Sequence, residues 1–382
     1  MRPLIWCVLG LLPTLQAASL YQLEETDDPL RLRVTLSVEG NAPYRLSPSR
    51  SQPGQAGVTP VCLDDKKGGM GALTHCRQWQ WSIPLTPAPA EGVDAALQQS
   101  VRLGPGSWLV SEWGNFPRTG GEARVCLPDG SCTPLPPLSA PPLFLSQGLA
   151  TLKTQSRANV RITHDAMAER LPLDSLQGQL EAILAYLGEQ LDRPMPPDWH
   201  LIWLARDVES HSLGGAAGGN LFVANYPVRR GEPTAEATQR LLRISAHEAV
   251  HQLLTEDWPA WAAEGLAEYL AIKSLRHFRL QGERAVDEWQ ARALPDKRSG
   301  LYLAYERLRE GDPSLYPLFY VKGAAFWEEL DHRLASQGIS PGSWPARLTF
   351  DEQGQLDAGS QRWLEEVLGP LRWQGLEQRY LK

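Results

Sequence analysis

His247, Glu248 and His251 stand together as His-Glu-Ala-Val-His, and Glu264 follows thirteen positions after the second histidine in Trp-Ala-Ala-Glu-Gly-Leu-Ala-Glu-Tyr. On a helix, residues four apart share a face, so two imidazoles can hold one zinc ion while Glu248, one step round, faces an open coordination position. Three protein ligands with a place left over make a catalytic zinc site, whereas a structural zinc is closed by a fourth. The chemistry this pattern predicts is zinc-assisted hydrolysis. The same five residues also arise by chance on solvated helix faces, so the surrounding elements have to support the reading.

Residues 235–254 read as one helix, with Leu241, Leu242, Ile244, Ala249, Val250, Leu253 and Leu254 supplying apolar surface around the histidines. A second helix is expected to start near Pro259, since proline suits a first helical turn, and a loop of about four residues makes the two helices antiparallel neighbours. His251 then lies three residues before the turn and Glu264 five after it, at nearly the same height for a rise of about 1.5 Å per residue. Glu264 can therefore be the third ligand. Glu268, one turn further along the same face, is placed to accept the second ring N–H of His247 and fix its tautomer, or else to form a surface ion pair.

On these residues the chain resembles the gluzincin metallopeptidases. The pairing of HExxH with Trp-x-x-Glu-Gly-x-Ala-Glu-Tyr looks like the bacterial peptidase MA-like domains and, more distantly, the alanyl aminopeptidase and leukotriene hydrolase group. The resemblance implies His247, His251 and Glu264 as zinc ligands, Glu248 as general base, and a thermolysin-like core with a small sheet in front of two zinc-binding helices. It also covers Leu318-Phe-Tyr-Val-Lys-Gly-Ala-Ala-Phe326, where Tyr320 falls on the position of a tyrosine that stabilises the oxyanion; the plain alternative is an aromatic that packs a helix.

The chain departs from that pattern at one place. Aminopeptidases of the group carry Gly-x-Met-Glu-Asn on a strand bordering the cleft, its glutamate binding the free amine, whereas this sequence has Gly214-Gly-Ala-Ala-Gly-Gly-Asn-Leu-Phe-Val223. The expectation is an endopeptidase, with Gly218, Gly219 and Asn220 leading into an edge strand at 220–224 that an extended peptide joins through backbone hydrogen bonds. His211 is a candidate second oxyanion donor.

Met1-Arg-Pro, the apolar stretch 4–12 and a small-residue site ending at Ala17 or Ala18 read as a secretory signal over 1–18, so the chain is expected to be exported, periplasmic or secreted, with no integral membrane segment after cleavage. Cys7 leaves with the signal. The remaining Cys62, Cys76, Cys126 and Cys132 are even in number and suit two disulfides, most simply Cys62 with Cys76 and Cys126 with Cys132, although three pairings are possible. The formal charge of −7 becomes −8 once Arg2 is removed, and no basic run exceeds Arg229-Arg230. Nothing there suggests a nucleic-acid partner; the implied partner is a peptide or protein substrate.

With 42% hydrophobic residues the chain can fill two cores. Short alternating runs separated by Gly, Pro and Asp turns predict a β-sandwich-like domain with the disulfides over 19–133, followed by a proline-rich linker at 134–145 and a catalytic domain over 146–382. In the latter, strands near 159–163, 199–204 and 220–224 and a helix at 173–191 precede a mostly helical remainder, ending in a helix interrupted at Gly369-Pro370. The fold class is α+β. Two other functions fit the sequence: a peptidase-like zinc protein with a binding or assembly role and little turnover, and an envelope or carbohydrate-binding protein led by the tryptophans of the first domain.

Overall fold

The computed structural model describes residues 18–51, 56–64, 69–152, 160–194, 198–209, 213–219, 221–254, 256–294 and 296–382. Residues 1–17 of the expected signal segment, His211 and Asn220 lie outside the described residues. The chain divides into two compact units, one of residues 1–87 and 99–147 and the other of residues 88–98 and 148–382.

In the first unit, strands Ser19–Glu25, Arg31–Val38 and Gln78–Pro84 alternate buried and exposed positions, the period a half-buried strand requires. They lie within a six-stranded sheet; a second sheet of four strands contains Ser107–Ser111 and Phe144–Gln147. One apolar cluster takes side chains from both sheets, including Trp79, Trp81 and Trp108, so these tryptophans are core residues. Cys126 and Cys132 face each other across paired strands and form a disulfide, and Cys62 bonds Cys76. The stretch read as a linker is not one. Cys132–Pro134 is a paired edge strand, where a missing N–H is tolerated, and Phe144–Gln147 pairs with Ser107–Ser111, so the first unit runs on through Gln147.

The second unit has a sheet in the order Ala150–Thr151, Val160–His164, Trp199–Asp207, Phe222–Arg229, Gly215–Ala217. The strands 160–164, 199–207 and 222–229 are parallel, and helix α1 (Leu173–Leu191) connects the first two, burying Leu176, Leu180, Leu184, Leu187 and Leu191 at helical spacing. The edge assignment made from sequence is corrected here. Phe222–Arg229 lies inside the sheet with seven of its eight residues buried, and the small-residue strand Gly215–Ala217 is itself the edge, antiparallel to it. Helices α2 (Ala237–Leu253), α3 (Ala260–His277), α4 (Ala285–Ala291), α5 (Leu301–Arg309), α6 (Pro317–Ala335), α7 (Ala358–Leu368) and α8 (Pro370–Leu376) complete the unit. No helix among the described residues is long and apolar enough to cross a membrane.

Candidate active site

α2 carries His247, Glu248 and His251, and Pro259 opens α3 as its N-cap, six residues after α2 ends. The turn brings Glu264 beside the histidines. His247 Nε2 lies 3.1 Å from Glu264 Oε2 and 3.1 Å from His251 Nε2, and His251 Nε2 lies 3.5 Å from Glu264 Oε2. Two ring nitrogens and a carboxylate oxygen thus form a small triangle. Ligands about 2.0–2.1 Å from a tetrahedral zinc are about 3.3 Å apart, and borderline nitrogen with hard oxygen is a donor set zinc accepts, so these residues fit the ion.

The other nitrogen of His247, Nδ1, lies 2.9 Å from Glu268 Oε2. That carboxylate is held in turn by Arg243, which also donates to Glu288 at 2.8 Å. Burial would raise the pKa of Glu268, but the Arg243 guanidinium and the hydrogen bond with His247 outweigh it and hold the carboxyl down at about 2. Glu268 therefore stays ionised and keeps accepting from His247. Arg243 and Glu288 were not singled out in the sequence, although Arg243, four residues before His247, shares its face of α2.

Glu248 is buried, and burial pushes its pKa above the ordinary carboxylate value. It packs against the backbone of Gly215, where a Cβ would overlap its carboxylate. The absence of a side chain at Gly215 is what lets the carboxylate sit beside the edge strand.

α6 supplies Tyr320, and Tyr316 caps its amino terminus. The Tyr320 ring centroid is 5.6 Å from that of His247, and Tyr316, one turn earlier, donates its hydroxyl to Glu264 Oε1 at 3.1 Å and hydrogen-bonds Tyr320. Burial pushes both hydroxyls far above the usual tyrosine range, so both stay protonated. Tyr316 was missed in the sequence; its i, i+4 spacing from Tyr320 was the available clue. α3 and α6 meet through glycines: a Cβ on Gly265 would lie 2.9 Å from the Gly323 Cα. Both glycines belong to the recognised motifs, and their contact brings the Tyr320 turn to Glu264.

Gly218 and Gly219 follow the edge strand Gly215–Ala217 directly. Gly218 donates to Leu221 O at 2.8 Å, and its carbonyl accepts from Gln252 Nε2 at 3.0 Å, so it belongs to the hairpin turn behind the edge strand.

No protein-family profile and no curated protein matches the sequence. Among solved structures, the chain is similar to an aminopeptidase N family protein from Idiomarina loihiensis, with a TM-score of 0.64 at 12% identity over 96% of this chain and 76% of that one. It is also similar to an M1 zinc metallopeptidase from Deinococcus radiodurans bound to the substrate Tyr-Ser-Ala, with a TM-score of 0.49 at 14% identity over 96% and 94% of the two chains. The first likeness is one of fold: a β-rich amino-terminal part followed by an α+β part with a helical end.

Proposed function

We propose that this chain is an exported zinc metallopeptidase that cleaves within peptides. The observation that carries the reading is the convergence of His247, His251 and Glu264 beside Glu248 at the open edge of the sheet. These three side chains would hold the zinc. When bound, the ion supplies a Lewis acid that acidifies water and polarises a carbonyl.

The remaining work belongs to the chain. A peptide aligned on Gly215–Ala217 by backbone hydrogen bonds presents its carbonyl beside Glu248. Glu248 takes a proton from the attacking water and returns it to the departing nitrogen, a double duty that suits a carboxyl with a raised pKa. The Tyr320 hydroxyl donates to the carbonyl oxygen as charge builds on it. Glu268 keeps the His247 ring in one tautomer.

Cleavage within a peptide is favoured over removal of an amino-terminal residue because Gly215–Ala217 carries no acidic side chain to pair with a free amine. Export is supported by two disulfides, which persist in oxidising compartments. Matched peptides with acetylated or free amino termini, incubated with and without a zinc chelator, test the proposal. Chelator-sensitive cleavage of the acetylated peptides by the wild type, and none by Glu248→Gln, is expected. Cleavage that survives the chelator, or persists in Glu248→Gln, overturns it; removal of single residues from free termini alone would make the enzyme an aminopeptidase.

A further inference from the structure

Leu213 leads into the edge strand and also lines a cavity of about 600 Å³. The other walls carry three guanidinium groups, Arg229 at the end of strand Phe222–Arg229, Arg240 on α2 and Arg292 just after α4, against one carboxylate, Glu236. Their ion pairs are long: Arg229 is 3.7 Å from Glu209, Arg240 is 3.4 Å from Glu236, and Arg292 is 3.8 Å from Glu288. A guanidinium offers five N–H groups in a fork shaped for a carboxylate, and one contact at such range uses little of that capacity. Thr234 lines the same cavity, and its Oγ1 is buried with no hydrogen-bond partner among the described residues. A buried hydroxyl left this way is relieved by a ligand oxygen.

The cavity's place is set by the two elements that reach it. Arg240 precedes His247 by seven residues, two turns up the same face of α2, or roughly 10 Å. An extended peptide advances about 3.3 Å per residue, so the cavity opens about three residues away from a bond held beside Glu248. A peptide added antiparallel to Gly215–Ala217 runs from Ala217 past Gly215 toward Leu213. The cavity then receives the residues that follow the cleaved bond.

We propose that this cavity is a subsite for a substrate carboxylate, either an acidic side chain or the carboxyl terminus, two or three residues beyond the cleaved bond. Its position rests on the peptidase reading above; its ligand chemistry does not. The test uses the full chain and three matched peptides: one with an acidic residue at that place, one neutral and ending there in a free carboxylate, and one neutral and amidated. The expected result is that kcat/KM for a carboxylate-bearing peptide exceeds that of the amidated one by about tenfold. That ratio falls toward one in the double variant Arg240→Ala with Arg292→Ala, and it shrinks with added salt. Whichever carboxylate peptide is preferred identifies the source. A ratio near one in the wild type, a ratio unchanged in the double variant, or a preference for acid before the bond overturns the proposal while leaving the peptidase reading intact. If no peptide is cleaved, the peptidase reading fails and binding decides: on the Glu248→Gln chain, tighter binding of the carboxylate peptides that is lost with Arg240 and Arg292 supports the subsite, and equal binding overturns it.

Discussion

His247 meets more of the site than any single role requires: Glu264 and His251 at one nitrogen, Glu268 at the other, and the Tyr320 ring beside it. Each neighbour can be removed separately. Tyr320→Phe deletes the hydroxyl proposed to meet developing charge, and steady-state kinetics should show kcat falling about 10²-fold or more with KM little changed. Tyr316→Phe leaves Glu264 without its hydroxyl donor. That variant should bind zinc more weakly, by about tenfold in competition with a chelator, and the same zinc affinity as the wild type would show that Tyr316 does not orient the ligand.

At the scale of elements, the glycine contact between α3 and α6 fixes how Tyr320 meets Glu264. Gly265→Val would press two methyl groups into the Gly323 backbone, and urea unfolding should report a loss of about 2–3 kcal/mol. Gly215→Ala meets the Glu248 side chain from Cγ to Oε1 and has to displace it. It should leave the unfolding midpoint nearly in place while lowering kcat by about tenfold or more. The helices were legible because their apolar spacing is local: α1 occupies the range that the pattern of Leu176, Leu180, Leu184 and Leu187 marks. The strand order was not. Phe222–Arg229 reads as an apolar run whether it is central or at an edge, and Gly215–Ala217 has only a hydrogen and two methyl groups with which to show alternation. The grouping of His247, His251 and Glu264 was legible because its members lie on two adjacent helices; Tyr316, fifty-two residues beyond Glu264, needs the tertiary fold to reach it.

Across the whole molecule the sequence divides less simply than its composition suggests. Residues 88–98 belong to the second unit, where Asn225 accepts the amide of Ala95 at 3.0 Å and donates to the Val93 carbonyl at 2.9 Å, and no local pattern announces that return. The sheet of that unit also carries a pH dependence. Burial, with Arg161 nearby, pushes the pKa of His200 down to about 4, whereas an unfolded histidine titrates near 6.5. The unfolded chain therefore binds the extra proton first, so this contribution is complete above about pH 6.5 and is lost as the pH falls toward 4. His200→Gln should flatten the acid limb of a stability curve; an unchanged limb would place the titrating group elsewhere. All of the proposed chemistry depends on one ion, and the most direct measurement is the zinc content of folded, metal-supplied protein. The account predicts one zinc per chain in the wild type and in Glu248→Gln, and its loss in His251→Ala. A folded wild-type chain that takes up no zinc, or a His251→Ala chain that holds it as tightly, would contradict the account.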